Sequence, residues 1–397
     1  MTDLATRPAL PVLRRAAPAL LGYAAVRALG LVALAVWSAA RDKSALTLLS
    51  ARWDSLWYTR VAELGYGYEV RLPNGDVHSN LAFFPLLPWL ERAVSALTPL
   101  SYAHAGLVVG TLASLAAAWG IFAVADHVHG RRAGICAVLL WAVLPVGIVQ
   151  SMAYTESLFT ALAAWSLYAV LTGRWVTAGV LAALAGTTRP VGLAVVAAVW
   201  AAAIASYVRD RGHEPAPPFV RNRSAEASNG AHLWPRALGM LLAPLGAAGY
   251  VLWVGHRTGK GPLGYLDVQA GWRNGFDGGY AFARFVADKF TSFPSAPAGI
   301  GLIIGVALLI WLYVVCVRQG QPLPLLVYAG VVTALALCAS SYFGSKPRLL
   351  MPAFPLLFPL ARALAGARTP RSAAILGAVA VVSAIYGAFW LNGSGPP

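Results

Sequence analysis

Long apolar runs recur from one end of the chain to the other, and they limit its possible folds more than any other feature. Each run approaches the roughly 20 residues that cross a bilayer as a helix. Only 11% of the 397 residues are charged, whereas soluble domains carry about 25% charged residues. Because hydrocarbon offers the backbone no hydrogen-bond partners, such runs must form helices. The sequence therefore predicts an all-α polytopic membrane protein, with residues 1–397 forming a single integral-membrane domain.

The apolar runs predict about eleven transmembrane helices, the fifth of them short. Arg7, Arg14 and Arg15 precede a first run that is too long for the core of a signal peptide, so we expect this span to be retained. Residues 81–100 form either a re-entrant or an interfacial helix. The predicted spans lie near residues 17–40, 105–126, 133–150, 154–172, 176–188, 190–208, 237–255, 299–317, 323–340, 349–366 and 372–391.

Basic residues in the short loops set the predicted orientation. The positive-inside rule gives most weight to such loops, and their arginines all lie on one side if the N-terminus is cytoplasmic. We therefore predict a multi-pass protein of the cell membrane with its N-terminus in the cytoplasm. The arginines are Arg131, Arg132, Arg174, Arg318, Arg362, Arg368 and Arg371.

Three long polar segments separate the predicted spans. The first loop region, residues 41–104, and the second loop region, residues 256–298, lie on the extracytoplasmic side of this topology. Residues 209–236 are cytoplasmic and rich in Pro, Ser, Asn and Arg, which is typical of a flexible connector. The second loop region interleaves Gly with aromatic residues, so it is either a mobile lid over a ligand or a plain interfacial loop.

Composition and spacing argue against several classes of function. The net charge of +15 would suit a nucleic-acid binder in a soluble chain. Here much of that charge lies beside spans, so no nucleic-acid partner is expected. Asp76 and His78 have no third metal ligand at useful spacing, so neither a metal nor another cofactor is indicated. No Ser-His-Asp pattern, cysteine nucleophile or P-loop supports hydrolase or nucleotide chemistry.

Asp54 is the strongest candidate for a catalytic group. It lies in the segment SARWDSLWYTRVAEL of the first loop region. A helix that begins at Arg52 would place Trp53 and Trp57 within one apolar arc, with Asp54 at its edge. Indole and phenol rings suit a membrane interface, where the ring body is buried and the polar edge stays wet. We therefore expect the catalytic loop to hold Asp54 at the bilayer surface, with Trp53, Trp57 and Tyr58 near the substrate.

A second carboxylate, Glu156, lies at the predicted start of a span, in the segment SMAYTESLF. It is either a first-turn acid favoured by the helix macrodipole, with Tyr154 and Thr155 as a cap, or an acid of the active site. The second possibility arises because a carboxylate near hydrocarbon is costly unless it is paired. Glu156 is thus a candidate catalytic residue, and Tyr154 a candidate substrate contact.

Basic residues in unexpected places predict an anion site. Arg189 lies in a short extracytoplasmic loop, and Lys346 and Arg348 flank a proline in a tight turn on the same side. Arg binds phosphate through a bidentate fork and Lys as a point charge, so these three residues and Arg52 are candidate phosphate ligands. The alternative is that they anchor lipid headgroups. Arg27, within the first span, pairs either with a carboxylate of the bundle or with a lipid phosphate.

An outward-facing carboxylate near several basic groups suits transfer of a group that is carried on a lipid phosphate. The basic residues would stabilise the phosphate as a leaving group, and Asp54 would remove the proton from an acceptor hydroxyl. One general base without a covalent intermediate implies inversion at the transferred carbon. The rival is a lipid-linked sugar flippase or transporter, in which Arg27, Glu156 and Arg189 would be pathway charges.

Several motifs together resemble a known family. RWDSLWY, GYGY, NLAFFPLLP, YTESLF, TRPVGL and KPRLLMPAFPLLFPLA occur in the order found in bacterial relatives of the PIG-V mannosyltransferases. The resemblance implies a GT-C glycosyltransferase fold, a polyprenyl-phosphate-linked mannose donor and catalysis on the extracytoplasmic face. Asp54 matches the acid of the family's first outer loop, and Glu156, Arg189, Lys346 and Arg348 match motif positions. The acceptor, a lipid or a glycan, stays open, as does a related enzyme that uses another sugar or a protein acceptor.

Overall fold

The computed structural model describes residues 9–212, 223–393 and 395, and most of this part of the chain is helical. Two short antiparallel strand pairs accompany the helices: β1 (Glu69–Arg71) with β2 (Val77–Ser79), and β3 (Gly275–Phe276) with β4 (Ala339–Ser340). The predicted all-α class is confirmed. The α-helices are α1 (Ala9–Ala39), α2 (Ala45–Ser50), α3 (Asp54–Leu64), α4 (Leu86–Leu97), α5 (Tyr102–His129), α6 (Arg131–Ala142), α7 (Thr155–Leu171), α8 (Trp175–Gly186), α9 (Leu193–Gly212), α10 (Arg223–Leu242), α11 (Leu245–Thr258), α12 (Gly264–Gly271), α13 (Tyr280–Asp288), α14 (Ala296–Arg318), α15 (Leu323–Cys338), α16 (Lys346–Leu350), α17 (Phe358–Gly366) and α18 (Thr369–Asn392).

Six helical segments of the described chain are long and apolar enough to cross a membrane. A bent pair, Phe343–Leu350 with Phe354–Gly366, makes a seventh span if its two halves, which meet at 75°, count as one. α7, α8 and α15 are shorter apolar helices. The predicted multi-pass character is confirmed, whereas the count of eleven spans is not. The six segments are Arg14–Ala39, Tyr102–His129, Pro190–Arg211, Leu233–Thr258, Phe293–Arg318 and Thr369–Asn392.

The helical hydrogen bonding is interrupted between α6 and α7, inside the apolar bundle. Arg27 of α1 lies at this break, and its guanidinium donates to the carbonyl oxygens of Ala142 and Gly147. Gln150 donates to the carbonyl oxygen of Trp141 at 2.7 Å. Backbone carbonyls released by a break in an apolar setting need such donors. Arg27 therefore binds backbone carbonyls, and among the described residues no ion pair joins it to a carboxylate. Its predicted pairing with a lipid phosphate stays a prediction.

Glycines let several helices approach one another closely. A Cβ added to Gly246 of α11 would lie 1.8 Å from the carbonyl oxygen of Ala183 in α8. One added to Gly110 of α5 would lie 2.6 Å from the carbonyl oxygen of Met152. Membrane helices associate largely through van der Waals packing, so small residues at their contacts bring backbones together. Gly110 thereby places α5 against the residues that precede α7.

The predicted cytoplasmic connector, residues 209–236, falls between α9 and α10. α9 continues to Gly212, and α10 begins at Arg223. Residues 213–222 of the connector lie outside the described residues. The described parts of the connector are therefore helical and extend the helices on either side.

The two loop regions pack against each other. Trp272 of the second region stacks on His78 of the first, with ring centroids 4.0 Å apart, and its Nε1 donates to the carbonyl oxygen of Ser79 at 3.0 Å. Arg273 Nε lies 2.6 Å from Asp76 Oδ2. Asp76 and His78, the two weak metal candidates of the sequence, are thus partners of the second loop region. These contacts hold the second loop region against the first.

Candidate active site

α3 begins at Asp54, two residues later than the sequence suggested. Trp53 precedes it with a φ of 53°, in the left-handed region that a bulky residue rarely adopts. Ser55 braces this entry: its Oγ accepts a hydrogen bond from the Arg52 amide at 2.9 Å and donates to the Arg52 carbonyl oxygen at 2.6 Å. Such strained residues cluster at functional sites. Asp54 stands in the first turn of α3, where the helix macrodipole favours a negative charge.

Asp54, Glu156, Arg189 and Arg348 meet in one charge network. Arg348 Nη1 lies 2.6 Å from Asp54 Oδ2, and Arg348 Nε lies 3.3 Å from Glu156 Oε1. Arg189 forms an ion pair with the same oxygen of Glu156. The two negative carboxylates and the two positive guanidiniums cancel in charge. Charges that are removed from water need such pairing. The structure thus brings together four residues that the sequence singled out separately.

The two carboxylates of this network differ in exposure. The side chain of Asp54 is 32% exposed, whereas that of Glu156 is 2% exposed. The buried carboxylate of Glu156 stays bound to its two guanidinium partners, whereas the more exposed carboxylate of Asp54 is accessible to a substrate. Glu156 lies in the first turn of α7, as its first interpretation required, and it is also ion-paired with Arg189. Its predicted catalytic role stays a prediction. Tyr154, the predicted cap, forms no side-chain capping hydrogen bond.

Two buried tyrosines tie α3 to the beginning of α7. The hydroxyl of Tyr154 accepts a hydrogen bond from the Asp54 amide at 3.3 Å, and the Arg348 guanidinium lies 5.1 Å from the centre of the Tyr154 ring. The hydroxyl of Tyr58 lies 3.0 Å from Oγ1 of Thr155. Both tyrosines therefore help to fix the spacing of the two acids. Their predicted contact with substrate stays a prediction.

The two tryptophans beside Asp54 have partners within the protein. Trp57 stacks on Phe83 with ring centroids 5.6 Å apart and meets the edge of Trp272 at 4.8 Å. The Arg52 guanidinium lies 3.9 Å above the ring of Trp53. Trp57 therefore joins the two loop regions, and the role of both tryptophans in substrate binding stays a prediction.

Lys346 and Arg52 lie outside the charge network. Lys346 Nζ donates to the carbonyl oxygens of Ala336 and Ala339 at 2.7 and 2.8 Å. Arg52 donates to two carbonyl oxygens at the C-terminal end of α18, at 2.9 and 2.8 Å. Among the described residues, no ion pair joins either cation to a carboxylate of the network. Their predicted role as phosphate ligands stays a prediction.

Glu91 of α4 is a buried acid that the sequence reasoning missed. Its side chain is fully buried, and neither carboxylate oxygen has a hydrogen-bond partner among the described residues. A Cβ on Gly106 of α5 would lie 2.5 Å from Glu91 Oε1, so that glycine makes room for the carboxyl group. Burial raises the pKa of Glu91 to about 9. The spacing of apolar residues could have predicted this burial. Glu91 follows Leu87 by four residues and precedes Val94 by three, which places it on the apolar face of α4.

Replacing Glu91 by Gln is expected to stabilise the protein increasingly as pH rises. Burial raises the pKa of Glu91 in the folded state above its unfolded value. The contribution of Glu91 to the free energy of unfolding is therefore fully present below pH 4.5 and falls steadily as the pH rises to about 9. Each pH unit in that window costs the wild type roughly 1.4 kcal/mol, or about 3 kcal/mol between pH 6 and 8. Thermal unfolding of both proteins in detergent at several pH values measures this. A difference in Tm that does not change with pH would contradict it.

Metal binding has no support from clustering in the described residues. No group of three His, Cys, Asp or Glu side chains among them is arranged to hold a metal ion. The carboxylates that do lie close together are bound by arginines. Independence from metal ions stays a prediction.

Part of the chain is similar in sequence to known proteins. Residues 80–217, about a third of the chain, match the family described as dolichyl-phosphate-mannose-protein mannosyltransferase. The chain is 31% identical over 153 residues to GPI alpha-1,6-mannosyltransferase 2 of Mus musculus, which covers 36% of this chain and 29% of that protein. The same protein of Rattus norvegicus matches equally well. The match thus spans less than a third of the length of these curated relatives.

A solved structure shares the arrangement of helices. ArnT from Cupriavidus metallidurans in the apo state superposes with a TM-score of 0.51, over 87% of this chain and 60% of ArnT, at 17% sequence identity. The chain has the GT-C fold. At this level of identity the likeness shows the fold alone, and the predicted GT-C fold is confirmed. The sequence similarity of this GT-C chain to mannosyltransferases also confirms the resemblance seen in its motifs.

Proposed function

We propose that this GT-C chain is a membrane glycosyltransferase that moves mannose from a polyprenyl-phosphate-linked donor to an acceptor hydroxyl at the extracytoplasmic face. One observation carries the proposal. Asp54 is partly exposed, while Arg348, which holds its Oδ2, is itself bound to the buried Glu156. The similarity to a family whose description names dolichyl-phosphate-mannose supports the choice of sugar and carrier.

In the proposed reaction Asp54 is the general base. Its carboxylate takes the proton of the acceptor hydroxyl as the hydroxyl oxygen bonds to C1 of mannose. The bond between C1 and the phosphate oxygen breaks, and its electron pair leaves with the polyprenyl phosphate. Glu156 is enclosed by arginines, so one accessible base acts without a covalent intermediate, and the configuration at C1 inverts. Arg348 holds the base in one orientation through the 2.6 Å contact.

The leaving phosphate needs positive charge, which Arg189 and Arg348 would supply. A guanidinium has five N–H donors, more than the contacts to Asp54 and Glu156 use. Charge-assisted hydrogen bonds to a phosphate stabilise it most as its charge develops. Lys346 and Arg52 donate to backbone carbonyls, so we assign the phosphate to the two arginines first.

Replacing Arg189 by Gln is expected to raise the KM for the mannose donor about tenfold, because one charge-assisted hydrogen bond is worth roughly 1.5–3 kcal/mol. The change in kcat should be smaller. Steady-state kinetics with varied donor measures both constants. Arg273→Gln is the matched control, because Arg273 is also paired with a carboxylate but outside the network. Equal donor KM values for wild type and Arg189→Gln would contradict the phosphate assignment.

The proposed function is tested with purified protein in lipid nanodiscs and a radiolabelled polyprenyl-phosphate mannose. An extract of membrane lipids and glycans serves as the acceptor pool, and a chelator is present. We expect label in a new product, whose mass identifies the acceptor. Sealed vesicles with the same donor test the rival function. Labelled lipid that crosses the bilayer without any product would establish a flippase instead.

A further inference from the structure

The helix that carries Arg348 cannot hold its own orientation. α16, Lys346–Leu350, has five residues, far fewer than the roughly 12–15 that an isolated helix needs. The chain bends by 75° between this helical segment and the next. The direction of the Arg348 guanidinium therefore depends on what anchors the two ends of α16.

Two hydrogen bonds anchor the C-terminal side of α16. Trp141 Nε1 donates to the carbonyl oxygen of Met351 at 3.1 Å. Tyr328 Oη donates to the carbonyl oxygen of Pro352 at 2.9 Å. Both donors are fully buried, on α6 and α15. This end of α16 is therefore fixed to the helical bundle.

Lys346 anchors the other end. It is buried, and its Nζ donates to the carbonyl oxygens of Ala336 and Ala339, at the C-terminal end of α15. The last carbonyls of a helix lack helical partners, and a cation is favoured there. Nζ also lies 4.9 Å from the ring centre of Phe282 and 5.4 Å from that of Phe343, within the range of cation–π attraction. Two of its three N–H donors are thus used on backbone oxygens.

We propose that Lys346 is a positioning residue, which sets the Arg348 guanidinium and through it the Asp54 carboxylate, without touching the substrate. Arg348 follows Lys346 by two residues, and Pro347 between them restricts the backbone. The proposal rests on the proposed function and deepens it. The second loop region helps to position Lys346, because Phe285 of α13 stacks on Phe343 with ring centroids 4.5 Å apart.

The kinetic test uses Lys346→Met, which keeps the apolar stem and removes the ammonium group. Transfer of radiolabelled mannose should show a kcat lowered about 10- to 100-fold, with a smaller rise in the donor KM because Arg348 is also assigned to the phosphate. Lys346→Arg keeps the charge and the N–H donors, so it should recover most of kcat. A donor KM raised about tenfold with kcat unchanged would place Lys346 on the phosphate and overturn the positioning role.

Phe282→Leu is a second variant, outside the charge network and outside α16. It removes one of the two rings that face the ammonium group. Since a cation–π contact is worth roughly 0.5–1 kcal/mol at exposed sites and more when buried, kcat should fall about two- to fivefold, with a smaller change in the donor KM. A wild-type kcat in this variant would overturn the part assigned to the second loop region.

Hydrogen exchange of wild type and Lys346→Met in nanodiscs tests the proposal without any assumption about the substrate. Faster exchange is expected at residues 346–352 and also at residues 54–58. Faster exchange confined to residues 336–346, or none at all, would overturn the positioning role. If exchange changes at residues 54–58 while the wild type transfers no mannose, the proposed function fails and the positioning role stands.

Discussion

Asp54→Asn is expected to lower the rate of mannose transfer by at least about 100-fold, within the range of roughly 10²–10⁴ that a general base contributes. The amide has the shape of the carboxylate and can still accept a hydrogen bond from Arg348, but it cannot take the acceptor's proton. Arg348 also keeps its contact with Glu156, so the variant should fold. Product formation from the radiolabelled donor in nanodiscs measures the loss.

Asp76→Asn is the matched control for this variant. Asp76 lies in the same loop region, and its carboxylate is also 2.6 Å from an arginine, Arg273. It has no contact with the charge network among the described residues, so transfer should stay within about twofold of wild type. Near-wild-type activity of Asp54→Asn would remove Asp54 from the mechanism, whatever the control shows.

The second large effect is on stability. Glu156→Gln should cost about 3–5 kcal/mol of unfolding free energy, because removing one partner of a buried ion pair leaves an uncompensated charge. Arg189 would lose its carboxylate, and Arg348 would keep Asp54 alone. Denaturant unfolding in one detergent measures the difference. Removing Arg189 as well restores the balance of charge, so Glu156→Gln with Arg189→Gln should be less destabilised than the sum of the single variants.

Glu63→Gln is the control for this stability measurement, since Glu63 is an exposed acid of α3. A surface substitution of this kind is expected to stay within about 0.5 kcal/mol of wild type. A Glu156→Gln variant as stable as Glu63→Gln would show that the network contributes no net stability. Glu156 would then hold Arg348 in place without stabilising the fold.

The residues of the charge network could be predicted from sequence because an apolar setting makes single charges conspicuous. Glu156, Arg189 and Arg348 each stood in or beside an apolar run. Which charges pair with which could not be predicted, since pairing depends on how the helices are arranged. Lys346 shows this limit, because it lies two residues from Arg348 and yet its ammonium points at the end of α15.

The number of spans was harder to predict than their composition. Hydropathy registers an apolar run, but it does not show where the run is broken and which donor satisfies the released carbonyls. The break between α6 and α7 needs Arg27 from α1, more than a hundred residues away. Glu91 was missed for a related reason, since a single acid in an amphipathic helix usually faces water.

The contact between Asp54 and Arg348 joins residues that are 294 positions apart. Synthesis proceeds from the N-terminus, so the first loop region, α7 and Arg189 are made long before α16. Glu156 can form its ion pair with Arg189 early in synthesis, whereas Asp54 can pair only after Arg348 has been made. Asp54, the proposed base, is thus the second of the two acids to gain an arginine partner during synthesis. A chain arrested before α16 would also lack α17 and α18, whose residues Phe358, Ala388 and Leu391 belong to the main hydrophobic core. The core and the charge network are therefore both completed late in synthesis.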